Sequence, residues 1–462
     1  MLKKVLIYCF IVSLFHCWIV SSVLAQNNKV GIHILETVEV EKASELVNSN
    51  GGDWGYVTIV LRDDDFDKKK WQKFMDDCRK IHLIPMVRIA THMKNSFWAK
   101  PIVYDLNKWV KFLDFLNWPI KKQIVVLFNE PNHAKEWGGE INPSEYAEIA
   151  DTMVDLFRSK NPDFWVMMAG FDQAADGNNS TMREEVFLSE MVKEVPDIFN
   201  KFDGLVSHSY PYRFAGLPSG IGRASIKGYE WELEQVKSLK SKVKSQKDLE
   251  VYITETGWRH GSEEQKTEYI LKAFEIWQAD ERVKAVTPFV LNYPASPFEN
   301  FSWLKKDGSA KQNYEKVMGV NKVQGEPEQI EKYEVVDLEM AEILPTNYEF
   351  KGKVRIKNTG QWIMGERRDF TLQVKEYRTQ NLEHKVIISG GKLEKGNLVM
   401  PEKEVEMEFK VKTGTQSAEH HLEIGDKEHT LYVFKPFDLK NEKVSLWRQI
   451  WTKIKLWAMS KE

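Results

Sequence analysis

Cysteine is nearly absent from this chain: there are three in 462 residues. Cys9 and Cys17 fall in an N-terminal apolar run, which leaves Cys78 alone beyond it. One cysteine forms no internal disulfide, so the core must carry stability, and Cys78 reads as a small buried apolar residue rather than a nucleophile. No Cys/His cluster has the spacing of metal ligands, so no metal is expected. A surplus of basic charge is missing too. With 65 Lys+Arg against 68 Asp+Glu the formal net charge is −3, which gives no footprint for nucleic acid. No glycine-rich phosphate turn follows any apolar run, which argues against a doubly wound dinucleotide-binding sheet; no cofactor is expected.

What is present fits a soluble chain with a substantial core: 42% hydrophobic and 29% charged residues, with 16 tryptophans. The length exceeds that of one ordinary domain, so two are expected. At the N-terminus, Lys3 and Lys4 precede an apolar run from Val5 to Leu24, and Val23-Leu24-Ala25 ends it with small residues. That is the pattern of a secretory signal peptide over 1–25, although the run also approaches the roughly 20 residues of an uncleaved membrane anchor. Either way the chain is expected to be exported, secreted or held at the cell surface.

From 27 to 320 short apolar runs alternate with amphipathic stretches. Strands are read at 30–35, 56–61, 84–90, 124–128, 164–170, 204–208, 251–254 and 283–291. Helices are read at 40–48, 69–81, 106–116, 143–159, 183–195, 229–243, 263–279 and 311–318. Near-continuous apolar strands are those buried on both faces, and eight βα units in about 290 residues predict an α/β chain folded as a (β/α)8 TIM barrel. After a linker at 321–332, residues 333–437 read as strands alone, an all-β sandwich of immunoglobulin-like type. The last stretch, 438–462, sets Leu446, Ile450 and Ile454 at helical spacing among lysines and tryptophans. Such a basic amphipathic helix either docks on the protein or touches a membrane surface.

Two of the strands end in glutamate. One runs Ile124-Val125-Val126-Leu127-Phe128-Asn129-Glu130-Pro131-Asn132, and the other Val251-Tyr252-Ile253-Thr254-Glu255-Thr256-Gly257-Trp258. In a barrel the site lies at the C-terminal strand ends, so strands four and seven bring Glu130 and Glu255 together. Two facing carboxyls are what cleavage of a glycosidic bond requires. Asn129-Glu130-Pro131 and Thr254-Glu255-Thr256-Gly257-Trp258, at the right strands of eight, resemble the retaining glycoside hydrolases of clan A. The resemblance covers the whole barrel in order and spacing.

That resemblance implies Glu130 as general acid/base and Glu255 as nucleophile, with Asn129 donating to the sugar 2-hydroxyl. It matches His208 and Tyr210, in Ser207-His208-Ser209-Tyr210, to a His-x-Tyr pair in which the tyrosine orients the nucleophile. An arginine beside the nucleophile is also usual. Arg88 is favoured over Arg62, because an arginine in an otherwise apolar strand needs a carboxylate partner, whereas Arg62 precedes three aspartates. The sequence departs from the clan at strand eight, where a tryptophan platform is missing; Tyr293 or Trp303 substitutes for it. Trp98, Trp137 and Trp258, in loops after strands three, four and seven, stack sugar rings or anchor their loops. The expected activity is β-glycoside hydrolysis of a polysaccharide or oligosaccharide. A transglycosylase using the same glutamates, and a non-catalytic glycan-binding or cell-surface protein with a barrel scaffold, are the alternatives.

Overall fold

The computed structural model describes residues 27–240, 249–377 and 386–436. The expected signal segment 1–25 and basic helix 438–462 lie outside the described residues. Among the described residues, no helix is long and apolar enough to cross a membrane. The chain divides into two compact units, at Ile330 and Glu331.

In the first unit strands and helices alternate in the order read from the sequence. The strands are β1 (Gly31–His33), β2 (Gly55–Arg62), β3 (Leu83–Ala90), β4 (Gln123–Leu127), β5 (Phe164–Met168), β6 (Gly204–His208), β7 (Glu250–Glu255) and β8 (Val283–Val286). The helices are α1 (Val40–Val47), α2 (Lys68–Lys80), α3 (Leu106–Phe115), α4 (Pro143–Lys160), α5 (Glu184–Glu194), α6 (Gly228–Lys240), α7 (Glu263–Ala279) and α8 (Gln312–Met318). The start signal at 142–145 acts as expected: Asn142 caps α4 by accepting from Glu145 N, and Pro143 fills the first turn, where no donor is needed. The eighth strand is shorter than expected. Pro288 has no N–H to give a ladder, and beyond Val286 the chain runs irregularly while the Pro288 carbonyl accepts from His33 N.

Pairing is parallel throughout the unit's two main sheets, ordered β1-β2-β3-β4-β5 and β6-β7-β8. Isolated parallel bridges join their edges, Val30 to Val286 and Asp172 to His208. Alternation along the strands sends side chains two ways. Val57, Ile59, Val87, Val125 and Leu127 pack in the cluster shared with the helices. Tyr56, Met86, Ile124, Val126, Met167, Val206, Tyr252 and Ala285 form a separate inner cluster, drawn from β2 through β8. Residues 322–330, expected as part of a linker, are tied to this unit. Gln324 bridges Asp53, and Lys322 Nζ donates to Ser49 Oγ (2.9 Å) and the Val317 carbonyl (2.8 Å).

Between α5 and α6 the carboxyls of Glu184 and Glu232 adjoin without solvent exposure, with Ser207 and Gln173 beside Glu232. Burial, then the charge of Glu232, pushes Glu184 well above the carboxylate range; burial pushes Glu232 up to about 6. The native chain therefore keeps protons that the unfolded chain releases once the pH passes roughly 4.5. Stability from this pair is highest in acid and falls as pH rises through 6 and beyond. Glu184→Gln is expected to raise Tm at pH 8 by roughly 2–4 °C or more and to flatten its decline between pH 5 and 8, read by thermal unfolding.

The second unit holds two four-stranded sheets. One comprises β9 (Tyr333–Glu339), β11 (Glu349–Asn358), β14 (Glu404–Lys412) and β13 (Ile387–Gly390), in that spatial order and antiparallel. The other runs β10 (Ile343–Pro345), β16 (Lys427–Phe434), β15 (Ala418–Ile424) and β12 (Val374–Tyr377), with β10 parallel to β16 and the rest antiparallel. Val354 and Ile356 of β11 face a core that includes Trp362, Phe409 and Leu431. Buried Asn358 holds the following turn, donating to the carbonyls of Trp362 and Val399 (both 2.8 Å) and accepting from Gly360 N (3.0 Å).

Candidate active site

The inner cluster decides which polar side chains converge. In β3, Ile84 and Met86 point inward, so Arg88, two residues on, shares their face. In β6, Val206 points inward and His208 follows it. Tyr252 of β7 would send Thr254 inward by the same parity, but the register between β6 and β7 shifts, so that His208 pairs with Glu255. That irregularity turns Glu255 to the inner side. After β4 the chain leaves the strand through Phe128 (φ 72°) and Glu130 (φ 34°), both in the left-handed region that costs a non-glycine residue on the order of 1–3 kcal/mol. The Glu130 N–H is held by the Gly170 carbonyl (3.0 Å).

These residues meet on the floor of a cleft of about 840 Å³. Arg88 Nη1 donates to Glu255 Oε1 (2.5 Å) and Asn129 Oδ1 (2.6 Å), and Tyr210 OH donates to Glu255 Oε2 (3.1 Å). His208 Nδ1 lies 2.8 Å from Glu130 Oε1. One ligand atom each of Glu130, His208 and Glu255 all fall within 4.8 Å of one another. That spacing would suit a metal ion, but the Arg88 guanidinium already supplies the cation at Glu255. Burial alone would raise Glu255; the charges of His208 and Arg88, with the Arg88 hydrogen bond, bring it down to about 2. Burial opposes charge on His208, yet the Glu255 charge and the Glu130 bond raise it from the ordinary histidine value. Burial and the Glu255 charge push the Tyr210 phenol well up, which keeps it a donor. The imidazole lies so close over Gly170 that a Cβ there would stand 2.3 Å from His208 Cδ2.

The solved structures similar to this chain include glycoside hydrolases. A family 39 glycoside hydrolase from the gut symbiont Bacteroides cellulosilyticus is 12% identical over 84% of this chain and 81% of that one, with a TM-score of 0.47. A GH128 endo-β-1,3-glucanase from Sorangium cellulosum is 13% identical over 64% and 97%, with a TM-score of 0.42. A family 51 α-L-arabinofuranosidase from Bifidobacterium longum is 10% identical over 84% and 96%, with a TM-score of 0.43. No family model matches the sequence, and no curated protein matches it.

Glu130, Glu255, Asn129, His208, Tyr210 and Arg88 are thus brought together by the structure. Arg62 is elsewhere engaged, forming a two-point pair with Asp64 (2.8 and 3.0 Å). Tyr293 lines the cleft beside Phe289 and Phe298, with ring centroids 6.4 and 5.3 Å away. Two tryptophans expected either to stack sugar rings or to anchor their loops are placed as anchors. Trp137 is 1% exposed, packed between Phe128 and Tyr146 with Nε1 on Glu145 (2.8 Å). Trp258 is 5% exposed, stapled to the Gly216 carbonyl (2.8 Å) and packed on Tyr269. Both anchor loops and leave no face for a ring. Trp303 is buried as well, while Trp98 is half-buried and does line the cleft.

Three residues of the site went unread in the sequence. Phe289 belongs to the cleft wall. His33, at the end of β1, is fully buried edge-on to Phe289 (5.2 Å); burial, then the Arg88 charge, lowers it to about 3, so it stays neutral. Its signal was a histidine ending an apolar strand, as at His208. Glu136, on a short 3-10 turn (Ala134–Glu136), also lines the cleft.

Proposed function

We propose that this chain is an exported retaining β-glycoside hydrolase that cleaves a polysaccharide by double displacement. Glu255 is the nucleophile and Glu130 the acid/base, set in a (β/α)8 barrel. The observation that carries this reading is the pair of carboxyls, with one oxygen of each within 4.8 Å, across the floor of an open cleft. Oxygens that approach so closely favour the roughly 5–5.5 Å carboxyl spacing of retaining enzymes over the roughly 6.5–9.5 Å that leaves room for a water in inverting ones. Support for the barrel comes from the bridges that join the two parallel sheets at both edges and from the inner cluster fed by seven strands. The second unit's two sheets support an immunoglobulin-like sandwich, and the 1–25 pattern supports export.

In the first step ionised Glu255 attacks the anomeric carbon while Glu130 gives its proton to the departing glycosidic oxygen, leaving a glycosyl-enzyme ester. In the second, Glu130 takes a proton from water, which displaces Glu255 and restores the starting state. Arg88 and Tyr210 hold Glu255 in its charged form and fixed orientation. His208 keeps Glu130 in place. Several sugars rather than one ring are supported by the cleft volume and by an adjoining hollow of about 620 Å³ that shares Trp98. Incubation with β-glucans, galactans, mannans and xylans is expected to release reducing ends from at least one. Proton NMR of the earliest product should show the β anomer; an inverted first product would sink the retaining assignment.

A further inference from the structure

We propose that Glu136 is a positioning residue of this site, which locks the orientation of the Asn129 amide. The inference rests on the glycosidase reading of the site. An asparagine amide can sit in either of two orientations, and its partners decide between them. Arg88, which can only donate, bonds Oδ1; Glu136 Oε2 accepts from Nδ2 (3.3 Å). The two contacts agree on one orientation and leave the second Nδ2 hydrogen free for a sugar hydroxyl. Glu136 thereby ends a chain of bonds that runs through Asn129 and Arg88 to Glu255.

The turn that carries Glu136 is fixed at both sides. Glu136 N donates to the His133 carbonyl (3.0 Å) and His133 N to the Glu130 carbonyl (2.9 Å), so the two glutamates are spaced by one compact loop. The buried Trp137 follows directly. The charged groups that act on Glu136 are Glu130, Arg88 and His133, whose imidazole is paired with Asp172 (2.8 Å). Lys135 precedes it in the cleft wall, and Lys100, nearby in the chain's fold against Gly138, is occupied by Glu140 and Glu145. Burial, then the charge of Glu130, pushes Glu136 up to about 7.

The test compares the full chain with Glu136→Gln, Glu136→Asp and Glu136→Leu on a soluble polysaccharide that the wild type cleaves, with kcat and KM measured across pH. Glutamine keeps the acceptor for Asn129, so its kcat and KM should both stay within about twofold of wild type. Aspartate, one methylene shorter, draws the acceptor back and should lose kcat to an intermediate extent. Leucine removes the acceptor and should lower kcat about tenfold or more while KM stays within about twofold. Equal losses for glutamine and leucine, or wild-type kcat in Glu136→Leu, overturn the inference while leaving the glycosidase reading intact. A wild type inactive on every polysaccharide overturns both.

Discussion

Glu255→Ala is expected to lower turnover about 10⁴-fold or more, as loss of a covalent nucleophile does, and azide is expected to restore much of it with an α-glycosyl azide as product. The geometry explains why rescue should work. Removing the carboxylate leaves a small hollow whose donors remain: Arg88 Nη1 and Tyr210 OH both point to where the Glu255 oxygens stood. A hollow lined by a guanidinium and a phenol is a site for a small anion. Azide bound there attacks the anomeric carbon from the nucleophile's side, and with no second displacement the configuration is inverted. Glu130 is untouched and still protonates the leaving group. A substrate with an activated aryl leaving group makes the reading simpler, because the acid then matters less. Retained activity without azide, or a rescued product of unchanged configuration, would remove Glu255 from the nucleophile's role.

The sequence carried much of this arrangement because the information was periodic. Eight apolar runs, each followed by an amphipathic stretch, specify parallel strands buried on both faces, and alternation along β3 and β6 then fixes the facing of Arg88 and His208. Arg88 was legible for an energetic reason: a charge in an apolar strand needs a counter-charge, and it has one in Glu255. What sequence could not give was set by packing between distant loops. Trp137 and Trp258 look the same in sequence as exposed platforms, and only the Phe128–Tyr146 and Tyr269 contacts show them to be loop anchors. Glu136 is one loop glutamate among many until the turn after β4 folds it against Asn129. The inward turn of Glu255 depends on a register shift between β6 and β7 that no local motif announces. Glu184 and Glu232 lie on separate helices and meet only through the way α5 and α6 pack.

Arg88→Met is expected to damage both stability and the acid side of the pH profile, and the two effects have one cause. The Arg88 and Glu255 side chains are only 9% and 11% exposed. Breaking a buried pair by removing one partner leaves the other charge uncompensated, at a cost of about 3–5 kcal/mol, which corresponds to a fall in Tm of roughly 10 °C. Glu255 can lessen that cost by taking a proton. With the carboxyl held at about 2, its contribution to stability is present above roughly pH 4.5 and is lost only as pH falls through 2. Without Arg88, burial regains the upper hand, the carboxyl rises, and the variant's stability deficit should shrink as the medium becomes acid. The same rise removes the ionised nucleophile, so the acid limb of kcat/KM moves to higher pH and activity at mildly acid pH drops by about 10²-fold or more. Arg88→Lys separates charge from geometry. A single ammonium can hold Glu255 ionised but lacks the planar fork that bonds Glu255 and Asn129 together, so it should recover the acid limb more fully than kcat. Thermal unfolding and kcat/KM against pH read all three forms. If Arg88→Met keeps the wild-type acid limb, the charge that holds Glu255 ionised must come from His208 alone.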